Sequence, residues 1–261
     1  MRTATVAPAV VLALTIVLTG CTAAPATRES SESAAATTAP TPDPGAEQFA
    51  TIEAFVGAAF QGRYDEAAQH ASPGSAAERY VSHQRAMNTG YNANGDGQDD
   101  LTTLPTLSFD DGLVTVVEGD SEPYNLSDFT FDDEGLVTGW AGKSGPVAEA
   151  LWTQPWSGQS GGNTIDLTSA YRANSGNLFV VIKVAANERA TAPYSYSATY
   201  SASDGITYSA AYASQPDEIA AGSAGYIVVV FEGAPFGGTV NLDGASPDDF
   251  SATWTASVPV A

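Results

Sequence analysis

Helices are predicted in the first half of the chain, because its apolar residues recur there at intervals of three and four. Six of them share one helical face over residues 49–60: Phe49, Ile52, Phe55, Val56, Ala59 and Phe60. Gly62 is expected to end this helix. A short second helix is predicted over Tyr64–His70. Ser75 is expected to cap a third helix over Ala76–Met87, with Glu78 completing a capping box.

Two similar segments downstream predict β-hairpins. Residues 109–115 (FDDGLVT) and 131–138 (FDDEGLVT) each place an Asp/Gly turn between apolar strands. Helices followed by antiparallel strands are typical of an α+β layer. We therefore assign residues 47–142 to an α+β domain.

Strand patterns dominate residues 163–261. Seven strands are predicted: Ile165–Tyr171, Leu178–Ala185, Tyr194–Ala202, Ile206–Ala213, Tyr226–Glu232, Gly238–Leu242 and Phe250–Val258. Short strands separated by turn residues predict an all-β antiparallel sandwich. Residues 143–162 form a joint, in which we expect a helical turn at Val147–Trp152 and a flexible stretch at Gly158–Gly162.

Five tyrosines in the predicted sandwich share strand parity. They are Tyr194, Tyr196 and Tyr200 on one strand and Tyr208 and Tyr212 on the next. On one face, these rings form either a stacking surface for a glycan or peptide, or the inner layer of the sandwich. The serine-rich opposite face favours the second interpretation, because serine is difficult to bury.

Two stretches resemble known domain families. The segments AFQGRYDEAAQHASPGSAAERY and FTFDDEGLVTGWAG are similar to NTF2-like domains of exported actinobacterial lipoproteins. That resemblance implies a cone, in which a curved sheet wraps around helices and leaves an open mouth. The segments LFVVIKV and AAGSAGYIVVVFEG resemble small Ig-like domains of Gram-positive lipoproteins. Neither resemblance transfers a catalytic residue.

The N-terminus has the pattern of an export signal. Arg2 precedes a mainly apolar run, Val6–Leu18, which is shorter than the roughly 20 residues of a membrane span. The sequence Leu18-Thr19-Gly20-Cys21 resembles a bacterial lipobox. Residues 1–20 would then be a signal peptide, and Cys21 would carry a diacylglyceryl thioether that anchors the protein on the outer face of the cell membrane. Cys21 is the single cysteine of the chain, so no internal disulfide forms.

Residues 21–46 are predicted to be a disordered tether, since Ala, Thr, Ser and Pro provide too little apolar surface to fold. The chain carries 30 acidic and 9 basic residues, a net charge of −21. Such a surface repels nucleic acid and anionic lipid headgroups. Membrane contact is therefore expected through the lipid on Cys21, and nucleic acid is not an expected partner.

Two motifs imitate functional sites. Asn92, Asn94 and Asp96 place oxygen donors on alternate positions, as in an EF-hand loop, but Thr103 stands where that loop needs a carboxylate. A surface loop is favoured over a weak calcium site. Ser160 in GQSGG has the spacing of a nucleophile elbow, yet no histidine follows it in the chain. We interpret this match as part of the joint.

His70 and His83 are the two histidines of the chain. Some NTF2-like enzymes pair a histidine or aspartate with tyrosine in the cone, and Tyr64, Asp65, Tyr80 and His83 are candidates for such a task. We expect His83 instead to lie at the margin of the core.

The sequence therefore predicts a membrane-anchored binding or scaffolding protein without catalytic residue, metal or cofactor. Its partner would be a small apolar ligand, an envelope protein or a glycan. The alternative is a cone-fold isomerase or dehydratase. An apolar cavity open to solvent would favour ligand binding, whereas a histidine or carboxylate facing a tyrosine inside the cavity would favour the enzyme.

Overall fold

The computed structural model describes residues 45–96, 105–110, 112–117, 122–152 and 154–260. Antiparallel β-sheets dominate these ranges, accompanied by a few helices. The predicted signal peptide, Cys21 and residues 22–44 of the tether lie outside the described residues, as does Thr103. Within the described ranges, no helix combines the length and apolarity needed to cross a membrane.

Three helices open the described chain: α1 (Ala46–Phe60), α2 (Tyr64–Gln69) and α3 (Ala76–Ala93). Gly62 adopts a φ of +72° just after α1, which glycine reaches without strain. At the start of α3 the Glu78 N–H donates to Ser75 Oγ (3.2 Å), as predicted. The Glu78 carboxylate accepts from the Gly74 N–H instead of the Ser75 N–H, so the capping box is only half formed.

Five strands then form an antiparallel meander, named sheet I: β1 (Thr106–Asp110), β2 (Leu113–Val117), β3 (Tyr124–Phe131), β4 (Val137–Gly142) and β5 (Gly145–Pro146). Both predicted hairpins are present as the β1–β2 and β3–β4 pairs. The register of β3 shifts between Ser127 and Thr130, and Asp128 there has a φ of +51°. Such bulges bend a strand, so sheet I is curved at β3.

The helices and sheet I enclose one aromatic core. The indole of Trp140 lies at its centre, with ring centroids 5.0 Å from Tyr80, 5.4 Å from Phe55 and 6.2 Å from Phe129. Ile52, Val56, Val114 and Val116 are buried in the same core. We call α1–α3 with sheet I the N-terminal layer.

Ten strands follow: β6 (Trp156–Ser160), β7 (Asn163–Arg172), β8 (Leu178–Ala186), β9 (Ala192–Pro193), β10 (Thr199–Ala202), β11 (Thr207–Ser209), β12 (Tyr212–Ser214), β13 (Ala224–Phe231), β14 (Gly238–Ser246) and β15 (Asp249–Val260). Sheet II has the order β12-β13-β8-β7-β6. Sheet III has the order β11-β10-β14-β15, with β9 also paired to β14. The two sheets enclose a second core that contains Ile182, Phe231 and Trp254.

The joint is more ordered than predicted. The sequence predicts a flexible stretch at Gly158–Gly162, but Trp156–Ser160 pairs with β7 through a hairpin whose turn is Gly161-Gly162. Both turn glycines have positive φ, as a tight two-residue hairpin requires. Before it, Val147 and Leu151 pack into the aromatic core, and Leu151 forms a bridge with Tyr171.

Two strand predictions were wrong in the region of the tyrosines. Tyr194–Ala202 is interrupted by a 3₁₀ helix, Ser195–Ser197, before β10 begins. Serine hydroxyls bond to nearby backbone here, since Ser197 Oγ donates to the Tyr194 carbonyl at 2.6 Å. Ile206–Ala213 divides into β11 in sheet III and β12 in sheet II. Ala210 N–H donates to Ala198 O, and Ala211 N–H donates to Val230 O.

Helix α3 extends beyond its predicted end at Met87 because it packs on the outer face of sheet II. Gly90 lies against this sheet so closely that a Cβ there would be 2.6 Å from Val228 Cγ2. Asn94 Nδ2 donates to Ser214 Oγ at 2.8 Å and to the Tyr226 carbonyl at 3.1 Å. Sheet II is therefore covered on both faces, by α3 and by sheet III.

Candidate functional site

A cavity of about 400 Å³ lies where the N-terminal layer meets the outer face of sheet II. Its apolar lining includes Phe60, Tyr80, Met87, Leu126, Trp140 and Phe179. Helix α3 contributes Tyr80 and Met87, sheet I contributes Leu126 and Trp140, and β8 contributes Phe179. The volume falls within the range of small-molecule sites, about 300–1,000 Å³.

Polar groups line the mouth of this cavity. Glu122, Lys143 and Ser175 are exposed, while Gln84 and Asn174 are partly buried. The cavity therefore opens to solvent at a polar rim and is aromatic inside. This distribution suits a ligand with an apolar body, because a few polar groups at the entrance fix its orientation.

His83 is buried more deeply than predicted and does not line the cavity. Its side chain is 1% exposed, and its Nδ1 lies 2.9 Å from Ser169 Oγ of β7. Its Nε2 is buried without a hydrogen-bond partner among the described residues. Burial lowers the pKa of His83 to about 3, so the ring is neutral at physiological pH.

His70 also lies outside the cavity lining, in the turn after α2, where its carbonyl accepts from the Val137 N–H. Of the four proposed acid-base residues, Tyr80 lines the cavity, whereas Tyr64, Asp65 and His83 do not. Asp65 instead pairs with Arg85 on the surface. The histidine-based form of the enzyme alternative is thus not assembled at this cavity, whereas one carboxylate, Glu122, lines it together with Tyr80.

The five tyrosines that were predicted to share one face of the sandwich do not share it. Tyr200 is fully buried between sheets II and III, its hydroxyl donates to Pro235 O at 2.8 Å, and burial raises its pKa to about 12. Tyr208 is partly buried beside it. Tyr194, Tyr196 and Tyr212 are exposed. The prediction was wrong because the 3₁₀ helix and the crossing between sheets break the assumed strand parity.

The two motifs that imitate functional sites have structural roles in the described residues. Ser160 Oγ donates to Thr255 O of β15, and a strand, not the helix of a nucleophile elbow, follows its turn. Asn92 lies in the last turn of α3, and Asn94 is the C-cap whose amide bonds to sheet II. Among the described residues, no group of three or more His, Cys, Asp or Glu is placed to hold a metal ion.

Sequence reasoning missed Trp140, Tyr171 and Phe179 as cavity residues. Tyr171 and Phe179 lie on the outer face of sheet II, opposite its sandwich core. A signal for this face is present in the nearly unbroken apolar runs LFVVIKV and YIVVVF. Strands covered on both faces show continuous apolar runs, whereas half-exposed strands alternate. The runs therefore indicate a second layer on sheet II.

Comparison with protein-family models, with curated proteins and with solved structures returns no match to this chain. Arguments about function accordingly rest on the residues and the geometry described above.

Proposed function

We propose that this protein is a lipid-anchored, extracytoplasmic binding protein that holds a small, mainly apolar ligand in the cavity between α3, sheet I and β8. The observation that carries the proposal is the aromatic cavity with a polar, open mouth. Burial of a ligand against Trp140, Phe60 and Phe179 provides affinity at about 25 cal/mol per Å² of apolar surface. Non-catalytic binding or scaffolding at the cell envelope is the role we infer.

The anchoring part of the proposal rests on the sequence. The apolar run Val6–Leu18 followed by Leu-Thr-Gly-Cys has the form of a lipoprotein signal, and Cys21 supplies the thiol. Two acyl chains on that thiol give stable membrane binding without a protein span. The compartment that we assign, the outer face of a bacterial cell membrane, follows from this anchor.

We further propose that the N-terminal layer is an NTF2-like cone and that sheets II and III form an Ig-like domain. Three helices before a sheet that is curved at β3 support the first assignment. Two antiparallel sheets around one core support the second. In this arrangement Phe179 of sheet II closes one wall of the cavity, so both domains contribute to the ligand site.

A neutral fluorescent probe tests the cavity directly. We expect N-phenyl-1-naphthylamine to bind the chain from residue 45 onward with saturable enhancement at one equivalent, because its rings match the aromatic lining. Ala173→Phe places a ring into the lining and should weaken binding about tenfold or more, equivalent to about 1.4 kcal/mol.

The matched control is Ala220→Phe, which adds the same ring at an exposed turn position and should leave probe affinity unchanged. Melting temperatures of both variants identify any loss of folding. Non-saturable binding to the unsubstituted chain, or equal affinity in both variants, would contradict the proposal that this cavity binds ligands.

A further inference from the structure

Three tyrosines lie on three neighbouring elements, away from the cavity lining. Tyr91 belongs to the last turns of α3, Tyr196 to the 3₁₀ helix, and Tyr212 to the start of β12. The rings of Tyr91 and Tyr212 have centroids 6.1 Å apart and planes inclined by 56°. Tyr196 is 68% exposed and Tyr212 is 45% exposed. Large aromatic surface is thus left open to solvent at one place.

Hydrogen bonds from two consecutive residues hold these elements together. Ser214 accepts from Asn94 Nδ2, which fixes the end of α3 to the end of β12. Gln215 Oε1 accepts from both the backbone N–H and the hydroxyl of Ser195, and its Nε2 donates to Pro193 O at 2.7 Å. None of these bonds uses a tyrosine side chain. The tyrosines are therefore positioned by their neighbours and keep their ring faces available.

A carboxylate completes the cluster. The Asp96 N–H donates to the Tyr91 carbonyl at 2.9 Å, which places Asp96 directly after α3. Burial raises the pKa of Tyr91 to about 12, with smaller contributions from Tyr212 and Asp96. The pKa of Tyr212 is raised by burial and, less strongly, by Asp96 and Tyr196. The hydroxyls of Tyr91 and Tyr212 are therefore protonated at neutral pH, and the chain places Asp96 five residues after Tyr91 at the end of α3.

We propose that Tyr91, Tyr196, Tyr212 and Asp96 form a binding site for an organic cation of the quaternary ammonium class. The inclined rings of Tyr91 and Tyr212 offer electron-rich faces on which an N-methylated cation packs through cation–π attraction and apolar contact, and the neighbouring 3₁₀ helix supplies Tyr196. A primary ammonium is more strongly hydrated and loses more on leaving water. The net charge of −21 adds a long-range attraction for cations.

A pair of isosteres tests the role of the charge. We expect choline to bind the full-length lipidated chain, held in phosphatidylglycerol nanodiscs, with an affinity at least about fivefold higher than that of neutral 3,3-dimethylbutanol. Calorimetry measures both affinities. Equal affinities of the two compounds, or no choline binding, would overturn the proposal.

Substitutions then locate the site. Tyr196→Ala should weaken choline binding about fivefold, whereas Tyr196→Phe should retain it, because the ring face and not the hydroxyl carries the interaction. Asp96→Asn should weaken binding while the rings stay in place. Phe250→Ala is the matched control, since Phe250 is 70% exposed at the start of β15. Unchanged choline affinity in Tyr196→Ala would overturn the assignment of the site.

The same chemistry occurs on free choline, on phosphatidylcholine headgroups and on trimethyllysine peptides. Tighter binding to phosphatidylcholine vesicles or to a trimethyllysine peptide than to choline would support the proposed cation site. It would also identify the molecule that carries the quaternary ammonium group. Flat exposed rings also stack on sugars, so chitotetraose is included as a fourth ligand. Tyr196-dependent binding of chitotetraose without choline binding would replace the cation proposal with a glycan site.

Discussion

At the scale of single residues, His83 places a titratable ring where protonation is unfavourable. The imidazole lies between α3 and β7, with its centroid 5.4 Å from that of Tyr171. Burial keeps the ring neutral, and Ser169 satisfies one of its nitrogens. The unfolded chain exposes the same ring with an ordinary pKa near 6.5. The two states consequently bind different numbers of protons at mildly acidic pH.

The free energy of unfolding should therefore fall as the pH drops. Because the folded pKa of His83 is lowered to about 3, the unfolded state binds the extra proton between pH 6.5 and 3. Stability is complete above pH 6.5 and should fall by about 1.4 kcal/mol per pH unit below it. Urea unfolding at pH 7.5, 5.5 and 4.5 measures this slope.

His83→Gln removes the ring and should flatten the slope, even though the variant is less stable at every pH. His70→Gln removes the other histidine, which is only partly buried, and serves as the control. An identical slope in His83→Gln and the unsubstituted chain would show that His83 does not cause the acid sensitivity.

At the scale of elements, the contact between α3 and sheet II depends on a glycine in the last turn of the helix. Glycine costs a helix about 1 kcal/mol relative to alanine. Gly90 is nevertheless placed where a Cβ would lie 2.6 Å from Val228 Cγ2 and 3.5 Å from Tyr226 Cβ. The close approach lets Asn94 reach Ser214 one turn further along.

Gly90→Ala should accordingly destabilise the protein by about 1–2 kcal/mol, because overpacking outweighs the gain in helix propensity. Adding Val228→Ala removes the obstructing methyl groups, so the two substitutions should be strongly non-additive. Gly57→Ala in α1 is the matched control and should stabilise the protein, since nothing lies within 4 Å of the position that its new Cβ would take. Chemical denaturation of the unsubstituted chain, Gly90→Ala, Val228→Ala and the double variant measures the coupling, and additive effects would contradict the packing argument.

Local patterns predicted those elements whose conformation depends on nearby residues. The helix ends at Gly62 and Ser75 and both Asp/Gly hairpins of sheet I follow directly from sequence. The patterns fail where contacts with residues far away in the sequence determine the conformation. The second half of α3 is stabilised by sheet II, and the tyrosine segment is held by Gln215 and Asp243. No local signal identifies these partners.

The candidate site was predictable only as a possibility. The resemblance of residues 59–80 and 129–142 implies an open cone but does not identify its lining. Trp140 and Phe60 lie in the quoted segments, whereas Tyr171 and Phe179 come from the other half of the chain. Their contribution depends on how α3 and sheet I pack against sheet II, which sequence periodicity does not encode.

At the scale of the whole molecule, the proposed anchor decides where binding takes place. Lipidation of Cys21 would hold both the cavity and the tyrosine cluster outside the cell. Attachment would then depend on a single sulfur atom, because the chain has no other cysteine.

Cys21→Ser should abolish lipid attachment and release the protein from membranes. Mass spectrometry should find a diacylglyceryl-modified Cys21 in the unsubstituted chain and no lipid mass on residue 21 of the variant. Ser160→Ala, which is distant in sequence from the signal peptide, is the control for the fractionation procedure and should remain in the membrane fraction. Retention of the Cys21→Ser variant in membranes would contradict the anchor.

The crossing at Ala210-Ala211 has a mechanical consequence for a protein proposed to work outside the cell. Neighbouring peptide groups are bonded into opposite sheets, one to Ala198 and the next to Val230. Consecutive Cα atoms are about 3.8 Å apart, so the two hydrogen bonds are separated by only one residue of chain. Sliding one sheet over the other would have to break one of these bonds at once. The crossing therefore couples sheets II and III and should resist sliding of one sheet over the other.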